Sequence, residues 1–201
     1  MRARLTIIGF NIAVVSFQLL RLHSLPGGIE FSGFENPIHV GSTVSLLLAI
    51  PVSMAAIVGY IFSSEYNKTG TCTSWSIVAA DLLMFMGLAL TIAGFFSPLD
   101  NSLKIMAANA SGQLAHLTII HNSLLLTGGI SWFLAAYVGP FRALWKSPFP
   151  RLINTCLAIA YLVVFGYLGL ISASADAIDA NSAAGITLAQ WLMEFVQPFR
   201  W

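Results

Sequence analysis

Apolar residues run almost unbroken through five stretches of this chain: Leu5–Leu22, His39–Phe62, Trp75–Phe96, Ala115–Tyr137 and Leu152–Ile171. Each is followed by a polar segment that contains glycine or proline. About 20 apolar residues in an α-helix cross the roughly 30 Å hydrocarbon core of a bilayer. The pattern therefore predicts an all-α, polytopic transmembrane bundle of about five spanning helices. A sixth stretch, Ile186–Val196, has a different pattern. Ile186, Leu188, Trp191, Leu192, Phe195 and Val196 fall on roughly one helical side, with Gln190, Glu194 and Gln197 opposite. It is too short to cross, and is expected as an amphipathic helix lying in the interface. The chain thus divides into a five-helix transmembrane domain over 1–172 and, over 173–201, a small polar linker with an amphipathic interfacial C-terminal segment.

The connecting segments refine this picture. Ser24–Ile38 carries Pro26-Gly27-Gly28, Gly33 and Pro37, the composition of a loop. Ser97-Pro98 is expected to stop the third helix, leaving Leu99–Leu114 as a second loop along the surface, and Gly139-Pro140 to end the fourth. Pro51 falls inside the second span, where it removes one backbone hydrogen bond that a neighbouring helix can replace. Met1–Arg4 and the apolar run behind it have the outline of a signal peptide. Arg21-Leu22-His23-Ser24 offers no small-x-small cleavage site, so a retained first helix is expected. The leucine triplets at 46–48 and 124–126 sit at different offsets from the histidines before them, and no internal duplication is inferred.

Composition removes the soluble alternative. Of 201 residues 57% are hydrophobic and 8% charged, where soluble domains carry about 25% charged residues. A net charge of +1 with no basic block excludes a nucleic-acid partner. Cys72 and Cys156 are too few and too separated for a disulfide framework or a CxxC site. Lys and Arg set the orientation. Arg2, Arg4, Lys68, Arg142, Lys146 and Arg151 fall on one side, and Arg21, Lys104 and Arg200 on the other. The amino terminus is expected in the cytoplasm and the C-terminus outside. Trp145 among Arg142, Lys146 and Arg151 reads as an aromatic and basic anchor.

Candidate chemistry is sparse. In this topology His23, His39, His116 and His121 all lie toward the outer side. Neutral imidazole is a ligand for haem iron, copper and zinc, so His39, His116 and His121 are the candidate cofactor and metal ligands, with His23 at the loop edge the weakest. His116 and His121 are five residues apart, about 140° around a helix, and cannot readily share one ion. His39 and His116 have matched depth for the axial pair of a b-type haem. The bland alternative is interfacial histidines bonded to loop carbonyls or water. The layout resembles small cytochromes b only in placing histidines on the helices of a compact bundle, and the ladder with one histidine near each membrane face is absent. Asp81 is the one acidic residue placed inside a span, where a carboxylate is costly and by default functional. No cation is placed at its depth, so protonation or a partner chain is expected to satisfy it.

GxSxG, P-loop, HExxH and Gly-rich dinucleotide signatures are all missing. Asn67-Lys68-Thr69 and Asn109-Ala110-Ser111 match glycosylation sequons. Three classes stay open. One is a small subunit of a membrane redox complex, holding haem b, copper or a quinone near the outer histidines. Another is a cofactor-free accessory subunit among other membrane proteins. The third is a small-solute or ion transporter. In each case the lipid bilayer is a partner.

Overall fold

The computed structural model describes residues 2–22, 24–25, 28–30, 37–66, 74–109, 114–180, 186–199 and 201. His23, Lys68, Cys72 and Arg200 lie outside the described residues, as do the sequon at 67–69 and most of that at 109–111.

Six long or medium helices follow one another: α1 (Arg2–Leu22), α2 (Val40–Tyr66), α3 (Ser76–Asn109), α4 (Leu114–Phe133), α5 (Gly139–Trp145) and α6 (Arg151–Asp179). A π turn, Leu134–Val138, joins α4 to α5. The chain closes with α7 (Leu188–Met193) and a 3₁₀ turn over Glu194–Phe199. The only β pairing among the described residues is a single antiparallel bridge between Ile29 and Ile38. Five helical segments are long and apolar enough to cross a membrane, with α4 and α5 counting as one. The protein is an all-α, multi-pass membrane bundle. Leu20, Phe10, Leu126 and Val163 point out of it, as side chains do when hydrocarbon rather than water surrounds them.

α3 is the hub. It packs against α1, α2, α4, α5 and α6, and 67% of its most apolar stretch is covered, against 22–39% in the other four spans. Its pairing with α2 is close because glycine faces that helix. A Cβ at Gly94 would come within 2.7 Å of Leu46 Cγ and 3.1 Å of Ser42 O. Small residues at such crossings let backbones approach where no hydrophobic force drives helices together. Trp132, Leu46, Met86 and Val15 fill the main core behind this contact.

Several helix ends differ from the sequence reading, and each for a local reason. Pro98 does not stop the third helix, and Leu99–Leu114 is not a loop along its length: α3 runs to Asn109. A proline inside a helix costs about 3 kcal/mol. Here Pro98 is fully buried, Ser102 Oγ donates to Pro98 O at 2.8 Å, and Asp100 pairs with Lys104 one turn on at 2.5 Å. Tertiary packing wins over local propensity.

Gly139-Pro140 likewise fails to end the fourth span. The ladder slips into a π turn, with Gly139 N–H donating to Leu134 O, and α5 starts with Pro140 in its first turn. Proline has no N–H to return to the preceding turn. Tyr161 of α6 donates its hydroxyl to Ala136 O, four residues before Pro140, at 2.7 Å. α6 itself continues to Asp179, eight residues beyond Ile171, because Ser172, Ala173 and Ala175 are buried against the bundle rather than left in a linker.

The C-terminal segment packs on α6 and α4. Trp191 Nε1 donates to Gly166 O at 2.9 Å, and Phe195 meets Phe165 edge to face with ring centroids 5.4 Å apart. Tyr137 donates to Phe195 O. Leu188 and Leu192 stay exposed.

Candidate functional site

Three helices bring polar side chains to one place by simple periodicity. Ser42 and Ser45 on α2, Ser97, Asp100 and Asn101 on α3, and Ser172, Asp176 and Asp179 on α6 each recur at three- or four-residue steps, which puts them on one helical face. These faces meet at the end of the bundle where α1 stops and α2 starts, called here the far face. Together with Glu194, Gln197 and Trp201 of the C-terminal segment they line a half-open cavity of about 280 Å³. Four carboxylates line it: Asp100, Asp176, Asp179 and Glu194. Among the described residues no Lys, Arg or His side chain lines it.

Each carboxylate is positioned by a specific neighbour. Asp179 caps the start of α2, accepting from Val40 N at 2.9 Å and Gly41 N at 2.7 Å, where the positive end of the helix dipole favours an anion. Asp176 sits one turn earlier, over Gly41. Any Cβ at Gly41 would collide with the Asp176 carboxylate, so glycine is what lets α6 bring this acid in. Asp100 is nearly buried. Its Oδ2 lies 2.5 Å from Lys104 Nζ and its Oδ1 2.5 Å from His121 Nε2. Glu194 is buried and accepts from Gln197 Nε2 at 2.7 Å, and the same nitrogen reaches Ser172 Oγ at 3.4 Å. Trp201 forms an aromatic wall, stacked on Phe96 with centroids 5.6 Å apart. The result is an acidic, hydroxyl-rich chamber inside an apolar bundle.

The candidate histidines occupy separate surroundings. His39 is buried just before α2, its Nε2 3.4 Å from Leu25 O. His121 turns from α4 to Asp100 of α3. His116 lies exposed on α4. α3 stands between α2 and α4, packing against both. Among the described residues no three His, Cys, Asp or Glu side chains are grouped so as to hold a metal ion.

Asp81 lies at the opposite end, and there the expectation that no cation shares its depth is corrected. Arg4 Nη2 is 2.7 Å from Asp81 Oδ2, and Tyr60 donates to Asp81 Oδ1. The Arg4 guanidinium also stands over the Tyr60 ring, 5.8 Å from its centroid. The helix begins at Arg2, so Arg4 belongs to its first turn, and its long side chain spans the gap to α3. Asn11 and Ser53 form a second buried polar contact between α1 and α2, at 3.2 Å.

No protein-family model, no curated protein and no solved structure matches this chain.

The acids of the chamber were not singled out from the sequence, although Ser172, Asp176 and Asp179 already carry a helical spacing. Their small, polar surroundings resemble a linker, and Asp100 follows a proline. Both signals point to loops until the packing is known.

Proposed function

We propose that this protein binds a small organic cation in the far-face chamber, as a carrier or as the binding subunit of a membrane assembly. The observation that carries the proposal is the convergence of four carboxylates on one half-open polar chamber, among whose described lining residues there is no cationic side chain, Asp100 being held from behind by Lys104 and His121. A concave site with convergent polar groups at the end of a helix bundle is where a small ligand binds. Asp176 and Asp179 stand together over Gly41, while among the described residues no three carboxylates gather about one point. That distribution suits an extended ligand with separated donors, such as a diamine or an amino alcohol. Serine hydroxyls and the Asn101 and Gln197 amides supply further hydrogen bonds, and the Trp201 ring offers a face for an ammonium group. The excess of basic residues at the opposite end supports a cytoplasmic amino terminus, which makes the chamber outward-facing.

A role in electron transfer would have to draw haem, copper or quinone contacts from His39, His116 and His121, three imidazoles in three different settings. The chamber therefore carries the function, and the histidines enter through His121, which fixes Asp100. The test is calorimetric titration of the protein in lipid nanodiscs with 1,4-diaminobutane and with the neutral butane-1,4-diol. Saturable heat with the diamine alone is expected. Equal heats for the two would remove the charge argument. A haem or copper band in the reduced-minus-oxidised spectrum, lost in His39→Ala and His116→Ala, would return the redox reading to first place.

A further inference from the structure

The opposite end of the bundle carries a second site of reversed charge. Arg4, Arg142 and Lys146 line a groove of about 370 Å³ whose walls include Ile77, Val78 and Phe85 of α3. Arg142 and Lys146 also border a second groove of about 480 Å³, walled by Val138, Phe141 and Trp145. These two cations therefore stand on a ridge between two open, mostly apolar grooves. Arg142 lies on α5 and Lys146, four residues on, is the residue that caps its C-terminal end.

The charges there are unbalanced. Among the described residues Asp81 is the only carboxylate lining either groove, and Arg4 already engages it. Among the described residues neither Arg142 nor Lys146 meets a carboxylate. Both are exposed, and so are Leu134, Val138, Phe141 and Trp145, which run from the cations along the outside of the fourth span. Phe141 and Trp145 lie with ring centroids 5.6 Å apart. A fork of guanidinium and ammonium groups suits a phosphate diester, and basic pockets between membrane helices take anionic head groups.

We propose that this ridge is a binding site for one anionic phospholipid. Its phosphate lies between Arg142 and Lys146, and its two acyl chains follow the two apolar grooves. A zwitterionic lipid brings its own ammonium group against the same cations and is disfavoured. Charge complementarity and the paired grooves together select a diacyl phosphate diester over a free phosphate, which would leave both grooves unfilled. The site is separate from the far-face chamber and does not depend on its ligand.

Native mass spectrometry of the intact protein tests this, after exchange into detergent with equal dioleoyl phosphatidylglycerol and dioleoyl phosphatidylcholine. Preferential retention of the anionic lipid is expected. The double variant Arg142→Gln/Lys146→Gln should lower that preference roughly tenfold or more, at about 1 kcal/mol per basic side chain near a membrane surface. Arg21→Gln, which removes a cation at the other end of α1, should keep it. Circular dichroism confirms that the variants remain helical, and each single substitution should give a partial loss. Equal retention of the two lipids, or an unchanged preference in the double variant, overturns the proposal. Displacement of the lipid by millimolar glycerol 1-phosphate also overturns it, because a free phosphate ester would then be the ligand.

Discussion

Replacing Arg4 by Gln strands the Asp81 carboxylate inside the helix bundle, and the structure sets the size of the effect. Asp81 is 10% exposed in its side chain and Arg4 37%. Removing one partner of a fully buried pair costs about 3–5 kcal/mol, whereas an exposed pair is worth about 0–1 kcal/mol. One partner here is covered and the other is partly in contact with the surroundings, so a loss of about 2 kcal/mol is expected for Arg4→Gln. Tyr60 continues to donate to Asp81 Oδ1 in that variant and keeps the loss from the upper figure. Asp81→Asn should cost about 1 kcal/mol, since the released guanidinium can turn outward. The double variant removes the stranded charge, and its loss should be smaller than the sum of the two by about 1 kcal/mol or more. The assay is reversible unfolding in mixed micelles with increasing dodecyl sulfate, followed by tryptophan fluorescence. Additive losses in the double variant, or an Arg4→Gln protein within about 0.5 kcal/mol of wild type, would show that the ion pair does not hold α1 to α3.

Tyr161→Phe takes away the donor to Ala136 O beside Pro140, and should cost about 1–3 kcal/mol in the same assay. An unchanged midpoint would mean that another group satisfies that carbonyl. Asp179→Ala removes the cap on Val40 and Gly41 and should cost about 0.5–2 kcal/mol, with faster amide exchange confined to the first turn of α2. Uniform exchange rates along α2 would refute the capping role. A cysteine introduced at Glu30, in a chain whose own cysteines are replaced by alanine, should react with an impermeant maleimide only from outside the cell. Labelling from the cytoplasmic side would reverse the proposed orientation.

The five spans were legible because hydrocarbon demands long apolar runs, a signal that needs no tertiary information. Helix ends were less legible. Pro98 and Gly139-Pro140 are stop signals in an isolated helix, and each is overridden by a contact from elsewhere: the buried seat of Pro98, and the Tyr161 hydroxyl. Asp81 was visible as a costly intramembrane acid, but its partner was not, because Arg4 lies 77 positions away in the chain. The chamber was hidden for the same reason. Its acids come from a segment that reads as a linker, from a helix that continues past a proline, and from Glu194. That last residue fell on the polar side of the C-terminal amphipathic pattern, yet its side chain is buried against Gly169 of α6.

The direct test of the chamber is a side-by-side titration of the wild type and Asp176→Asn with 1,4-diaminobutane in nanodiscs of neutral lipid. Asp176 lines the cavity over Gly41, and a charge-assisted hydrogen bond is worth about 1.5–3 kcal/mol. A diamine affinity weakened by about tenfold or more is expected in the variant, with the helical content unchanged. Identical binding isotherms for the two proteins, or no saturable binding by the wild type, would contradict it.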